Sequence, residues 1–247
     1  MMNFKRFERQ IQIPEIGIEG QRKIKRAKVL LIGAGGLGSP VAYYLAAAGV
    51  GRIGIADGDR IEVSNLNRQV LHSPERIGML KAESAEQTIR TFSPETKVSV
   101  YAERLSSVDE ITRIMKGYDV IVDCCDNYPT RFAMNTACIQ SHKPFVYGAV
   151  SEFEGQVMTI IPGKGACYQC LYPSAPLPSE MHTSSGVIGV SPGTVGCIQA
   201  TEALKYILGV GVLLVGRLLF IDLLEMTFSL LAVERNKSCP ACANERC

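Results

Sequence analysis

The chain has no tryptophan, only three histidines and almost no net charge. Its 26 lysines and arginines stand against 24 aspartates and glutamates, a formal balance of +2 in 247 residues. A balance so near zero counts against nucleic acid or a membrane surface as the main partner. The three histidines, His72, His142 and His182, are too scattered to make a metal motif. There is no repeat, low-complexity tract or obvious linker. No apolar leader is expected, because Phe4-Lys5-Arg6-Phe7-Glu8-Arg9 is charged where such a leader would be greasy. One uncharged stretch, Val29 to Gly51, is long enough to cross a bilayer. Gly33, Gly35, Gly36, Gly38, Gly49, Gly51 and Pro40 punctuate it where a strand should turn into a helix and the helix should stop, so no span is expected. The apolar run Ile207 to Gly216 is too short, and Arg217 ends it.

What is present is ordinary globular composition, with 47% hydrophobic and 20% charged residues, in a length that suits one α/β domain. Nine cysteines cannot all pair within one chain. The expectation is a cytoplasmic protein with reduced thiols, some of them free to bind metal. Short apolar runs at 28–32, 52–56, 97–101, 119–123 and 144–150 read as strands. Helical segments at 38–48, 81–91, 108–116 and 130–141 alternate with them. That alternation predicts a Rossmann-like, mostly parallel sheet with helices on both faces. Beyond Gly155 the pattern changes. A strand at 156–161, a Pro- and Ser-rich loop, a helix at 194–208 and strands at 217–222 and 227–232 predict an antiparallel C-terminal extension. Arg22, Lys23, Lys25, Arg26 and Lys28 read as the solvated face of a helix before the first strand.

Gly33-Ala34-Gly35-Gly36-Leu37-Gly38-Ser39 follows a strand and opens a helix. Glycines there allow a sharp turn and the close approach of a phosphate, and the free N–H groups and helix dipole favour an anion. Asp57, at the end of the next strand, suits ribose hydroxyls. The motif alone leaves NAD and ATP equally open. Further residues tilt the choice. Asp57 to Gln69 is dense in charge, Lys81 starts a helix, and Asp126-Asn127 lies just past the carboxyl end of the 119–123 strand. Cations to screen phosphates and a carboxylate to hold Mg²⁺ suit a triphosphate better than a hydride carrier.

These residues resemble the MoeB, ThiF and HesA family of ubiquitin-activating-like adenylyltransferases. The resemblance runs from Arg6-Phe7-Glu8-Arg9-Gln10-Ile11 to the terminal cysteine pair. Ser64-Asn65-Leu66-Asn67-Arg68-Gln69 and the glycine, glutamine, glutamate and lysine of Gly196 to Lys205 carry it most specifically. The resemblance implies Mg²⁺-ATP-dependent adenylation of the C-terminal glycine of a ubiquitin-like sulfur carrier with a Gly-Gly tail. A sulfur donor such as a cysteine desulfurase then makes a thiocarboxylate for thiamine, molybdopterin or a related pathway. It implies phosphate binding by the glycine loop, Asn65, Arg68 and Lys81, ribose binding by Asp57, and a place for Asp59 and Ser64 in the same cofactor site. It implies Mg²⁺ at Asp126 beside Asn127, and an Arg9 that reaches into the other subunit of a homodimer. It also implies one adenylation domain over 1–247: a helical arm (1–27), a nucleotide-binding half (28–150) and a carrier-binding half (151–247). The chemistry agrees. Cations must offset the repulsion between an attacking carboxylate and a polyphosphate, and an already ionised carboxylate needs no general base.

Cys167-x-x-Cys170 and Cys239-x-x-Cys242 are two thiolate pairs that together suit a closed, structural Cys₄ zinc site. The resemblance implies zinc at these positions. Cys124, Cys125, Cys138 and Cys197 read as buried small hydrophobes. The chain departs from the family between Leu171 and Thr194. That loop contains no cysteine, and His182 stands where many members carry one. A thiolate can accept an acyl group from an adenylate, whereas an acyl-imidazole hydrolyses and carries no sulfur, so no thioester step is expected at this loop. Three other readings remain: activation of a carboxylate on a modified tRNA nucleoside, a silent scaffold for a ubiquitin-like protein, and an NAD-dependent dehydrogenase.

Overall fold

The protein is described here by a computed structural model covering residues 4–175 and 186–243. Two short helices, α1 (Glu8–Ile11) and α2 (Gly17–Arg26), form the arm that precedes the sheet. Gln21 and Ile24 of α2 are buried, while Arg22, Lys23 and Arg26 face solvent, so the basic cluster is a solvated helix face.

The parallel part follows, in the order β1 (Lys28–Ile32), α3 (Gly38–Ala48), β2 (Arg52–Ala56), α4 (Lys81–Phe92), β3 (Lys97–Tyr101), α5 (Val108–Met115), β4 (Val120–Asp123), α6 (Tyr128–Gln140) and β5 (Phe145–Ser151). The second part comprises β6 (Glu154–Ile160), α7 (Tyr168–Leu171), α8 (Val190–Leu208), β7 (Arg217–Asp222) and β8 (Thr227–Ala232). The eight strands make one sheet in the order β3-β2-β1-β4-β5-β6-β7-β8. Strands β3 to β5 are parallel, and β6, β7 and β8 add on antiparallel. The expected α/β architecture with its antiparallel extension is therefore present. Residues 29–32 of β1 and 120–122 of β4 are buried and apolar, as a sheet covered on both faces requires. One face packs against α2, α3, α4 and α8, and the other against α5, α6 and the segment around Tyr168. No helix among the described residues is long and apolar enough to cross a membrane.

Two helices begin earlier than the sequence pattern indicates. Helix α6 starts at Tyr128 because Asn127 caps it, its Oδ1 accepting the Thr130 N–H at 2.9 Å. Helix α8 starts at Val190 instead of 194. Its first turn, Val190-Ser191-Pro192-Gly193, has loop composition, yet a proline in a first turn removes only an N–H that has no helical partner. The crossover position His182 lies outside the described residues.

The chain leaves β1 for β2 and β3 on one side and returns to β4 and β5 on the other. The gap outside the carboxyl ends of β1 and β4 is thus the point where the winding reverses, and open α/β sheets bind ligands there.

Candidate active site

The glycine loop leaves β1 at this crevice. Gly33 takes φ +107°, and a Cβ on it would strike the Cys124 carbonyl and come within 3.1 Å of the Cys125 nitrogen. Only glycine lets the loop pass so close to the end of β4. A Cβ on Gly38 would strike the Gly33 carbonyl, so this glycine closes the turn. Gly35 differs, since a Cβ there would make only an ordinary 3.5 Å contact with Gln69. Gly36 faces Pro192 of α8 and the Arg68 stem. Among the described residues, the N–H groups of Gly35 and Gly36 meet no acceptor of this chain, which leaves them for a bound anion.

Asp57, one residue past β2, braces the loop. Its Oδ2 accepts the Ala34 N–H and its Oδ1 the Asp59 N–H, both at 2.8 Å. Burial pushes its pKa up, against these two bonds and the charge of Lys81. Asp59 sits between two cations. Lys81 Nζ lies 3.2 Å from its Oδ2, and Arg104 Nη2 lies 2.6 Å from its Oδ1. Partial burial opposes the Asp59 charge, but Arg104 and Lys81 outweigh it and hold the pKa below the ordinary carboxylate value. The trio keeps one net positive charge, as an anion site needs. Lys81 is 8% exposed and opens α4.

Ser64 and Asn65 lie in a single 3₁₀ turn, Val63–Asn65. Asn65 Oδ1 accepts the Glu62 N–H at 3.1 Å, which leaves its amide nitrogen for another acceptor. The Arg68 guanidinium folds back onto its own loop, donating to Ser64 O at 2.9 Å and Asn67 Oδ1 at 3.0 Å. Asp126 is exposed three residues beyond β4, and Asn127 beside it is the α6 cap. The structure thus gathers Gly33, Gly35, Gly36, Gly38, Asp57, Asp59, Ser64, Asn65, Arg68, Lys81, Asp126 and Asn127 around the carboxyl ends of β1, β2 and β4. It does not bring Arg9 there. Helix α1 is tied to the far end of α3, where Gln10 donates to the Ala48 carbonyl at 3.1 Å. Arg9 is exposed at that end, remote from the Gly38 end of the same helix.

The sequence reading missed the floor of the site. Asp123 is fully buried, and Arg131 of α6 pairs with it at 3.2 Å. Arg131 also donates to the carbonyls of Cys125 at 2.7 Å and Gly148 at 3.0 Å. Gln199 of α8 donates to the Asp123 carbonyl at 2.6 Å. These groups shape the backbone that leads to Asp126. The only local signal was a carboxylate ending an apolar strand. Cys124, Cys125 and Cys138 are buried thiols, their pKa values pushed up by burial, as inert residues should be, and Cys197 is half-buried.

Cys167, Cys170, Cys239 and Cys242 converge with all four sulfurs within 4.8 Å of one another. The separations are 3.8 Å for Cys167–Cys170, 3.6 Å for Cys167–Cys239 and 3.5 Å for Cys170–Cys242. Thiolates at about 2.3 Å from a tetrahedral zinc lie about 3.8 Å apart, whereas disulfide sulfurs lie at about 2.05 Å. The set therefore fits a four-thiolate metal site. Asn135 of α6 supports it, donating to Cys167 Sγ at 3.7 Å and accepting the Tyr168 N–H at 3.1 Å.

A sequence profile of the ThiF family matches residues 7–241. The sulfur carrier protein adenylyltransferase of Thermus thermophilus is 45% identical, over 97% of this chain and 91% of its own. The SAMP-activating enzyme E1 of Haloferax volcanii is 45% identical, over 96% of this chain and 88% of its own. Among solved structures, E. coli MccB with ATP superposes with a TM-score of 0.85 at 24% identity, covering 97% of this chain and 75% of that one. That last likeness is one of fold.

Proposed function

Because the chain belongs to the ThiF family and is an ATP-dependent adenylyltransferase, we propose that its acyl substrate is the C-terminal glycine of a ubiquitin-like sulfur-carrier protein with a Gly-Gly tail. The observation that carries this reading is the likeness to a sulfur carrier protein adenylyltransferase along nearly the full length of both chains. The product adenylate would be converted to a thiocarboxylate by a sulfur donor such as a cysteine desulfurase, for thiamine, molybdopterin or related biosynthesis.

In this reading, residues 28–150 form the nucleotide half, and the free N–H groups of Gly35 and Gly36 receive phosphate oxygens. Asp57 has an unused lone pair on each oxygen for the ribose hydroxyls. Arg68 and Lys81 neutralise the phosphates and the Asn65 amide donates a hydrogen bond to them, with Ser64 and Asp59 as their supports. Asp126, with Asn127, would hold Mg²⁺, which supplies charge neutralisation on the triphosphate when bound. The carrier carboxylate is already ionised, so the site's task is to align its attack on the α-phosphorus and stabilise departing pyrophosphate. Residues 151–247 would receive the carrier. The absence of a cysteine between Leu171 and Thr194 favours direct transfer from the adenylate, without a thioester at that loop. The four cysteines would hold a structural zinc. Arg9 would serve the site of a second copy in a homodimer, since α1 lies at the wrong end of α3 to serve its own.

The test is ATP–pyrophosphate exchange with Mg²⁺ and carriers ending in Gly-Gly, each paired with a version lacking the terminal glycine. Exchange should require the intact tail, and Asp126→Ala should abolish it. ATP binding without exchange on any carrier would favour the tRNA substrate or the scaffold, and no ATP binding would overturn the reading.

A further inference from the structure

His72 is 7% exposed and lies between the glycine loop and α4. Its Nε2 is 2.9 Å from the Ala34 carbonyl oxygen, and its Nδ1 is 3.0 Å from Ser84 Oγ. A carbonyl can only accept, so Nε2 carries the hydrogen and Nδ1 accepts the Ser84 hydroxyl. Ser84 is fully buried, and its position is fixed by Arg76, which donates to its carbonyl at 3.0 Å. A second link lies alongside, where Ser39 Oγ donates to the Gly35 carbonyl at 2.8 Å and accepts the Leu71 N–H at 3.3 Å.

The Ala34 carbonyl belongs to the peptide that bears the Gly35 N–H. A trans peptide is planar, with its C=O and N–H pointing in opposite directions. Whatever holds the Ala34 oxygen therefore aims the Gly35 N–H away from itself. Glycine on one side of that peptide offers little resistance to a flip. A flip would turn a carbonyl toward the anion and a donor away from it. The preceding peptide is pinned separately, through the Ala34 N–H on Asp57 Oδ2.

We propose that His72 is a positioning residue of the phosphate site: its Nε2–H grips the Ala34 carbonyl and so presents the Gly35 N–H to a bound phosphate. His72 touches neither nucleotide nor carrier and acts through the loop. This role rests on the glycine loop being the ATP phosphate site, as proposed above.

The test compares wild type with His72→Phe, which keeps a flat ring and loses the donor, and with His72→Gln, which restores an N–H. Affinity for a non-hydrolysable ATP analogue is measured by calorimetry, beside ATP–pyrophosphate exchange and thermal stability. Loss of one well-aimed donor to an anion corresponds to about a tenfold weaker ATP affinity in His72→Phe. The carrier KM should stay within about twofold, and His72→Gln should recover most of the ATP affinity. If His72→Phe does not fold, Ser84→Ala serves instead, since it removes the hydroxyl that anchors the other side of the ring at Nδ1. It should weaken the analogue by about threefold. Folded His72→Phe with wild-type ATP affinity would overturn the role of His72 alone, as would equal losses toward ATP and carrier, or an unchanged Ser84→Ala where His72→Phe is unfolded. Wild type that binds no ATP would overturn the reading of the whole site.

Discussion

Arg131 keeps its charge although it is almost fully buried. Burial alone would lower its pKa, but the Asp123 carboxylate more than reverses that. Removing one member of such a pair leaves the other as an uncompensated buried charge. Arg131→Leu should therefore cost about 3–5 kcal/mol of stability, read from urea unfolding, and a loss below about 1 kcal/mol would refute this account of the site floor. Asp59 makes a pH-dependent contribution. Because Arg104 and Lys81 hold its folded pKa below the ordinary value, the unfolded chain takes up the proton first as the solution is acidified. The stability it provides is full above the unfolded carboxylate pKa and disappears as pH falls through the folded one. Asp59→Asn should melt below wild type near pH 7, with the difference closing as pH falls through the lowered folded value. His72 titrates higher on the scale. Burial lowers its pKa, partly opposed by the Ala34 bond and reinforced by Lys81 and Arg76. Its neutral form is the folded form, so stability should fall as pH drops below the unfolded value of 6.5, and His72→Phe should flatten that slope.

Elements were legible in the sequence where local signals agreed. β1, β2, β3, β7 and β8 carry the predicted limits because each is a short apolar or β-branched run bounded by turn residues. Helix α8 was clipped because its first turn is made of residues that usually break helices, and what holds it there is contact with Gly36 and the Asn67–Arg68 backbone. The site divides the same way. The glycine loop, Asp57 and Lys81 are visible because each sits at a junction of elements. The Asp123–Arg131 floor and the Ala34–His72–Ser84 bridge are pairings across the fold, and no periodicity announces them. Gly196 is the point where α8 meets α3, since a Cβ there would strike Pro40 and lie 2.7 Å from the Leu37 carbonyl. Gly196→Val should cost about 1–3 kcal/mol and also weaken ATP binding, because α3 begins at the glycine loop. Equal ATP affinity in a destabilised variant would separate the two helices' roles.

At the scale of the whole molecule, the placement of Arg9 decides whether one chain suffices. A dimer with exchanged arginines predicts that Arg9→Ala and Asp126→Ala are each inactive alone. Mixed after dissociation and reassociation, they should recover about a quarter of wild-type activity, because half of the dimers would be mixed and each would have one intact site. No recovery, with mixed dimers verified by mass, would place Arg9 in its own site or in none. Within a single chain, one helix links the crevice to the cysteine cluster. Helix α6 is capped by Asn127 beside Asp126, holds Asp123 through Arg131 in its first turn, and grips the cysteine knuckle through Asn135 in its middle. It is a strut whose two feet, at Asn127 and Asn135, lie about 12 Å apart along the helix axis. Stripping metal from the thiols with a chelator should therefore register at the other foot, as a weaker apparent affinity of the adenylation reaction for Mg²⁺. A tail that looks like an accessory clamp would then set how well the distant carboxylate is aimed.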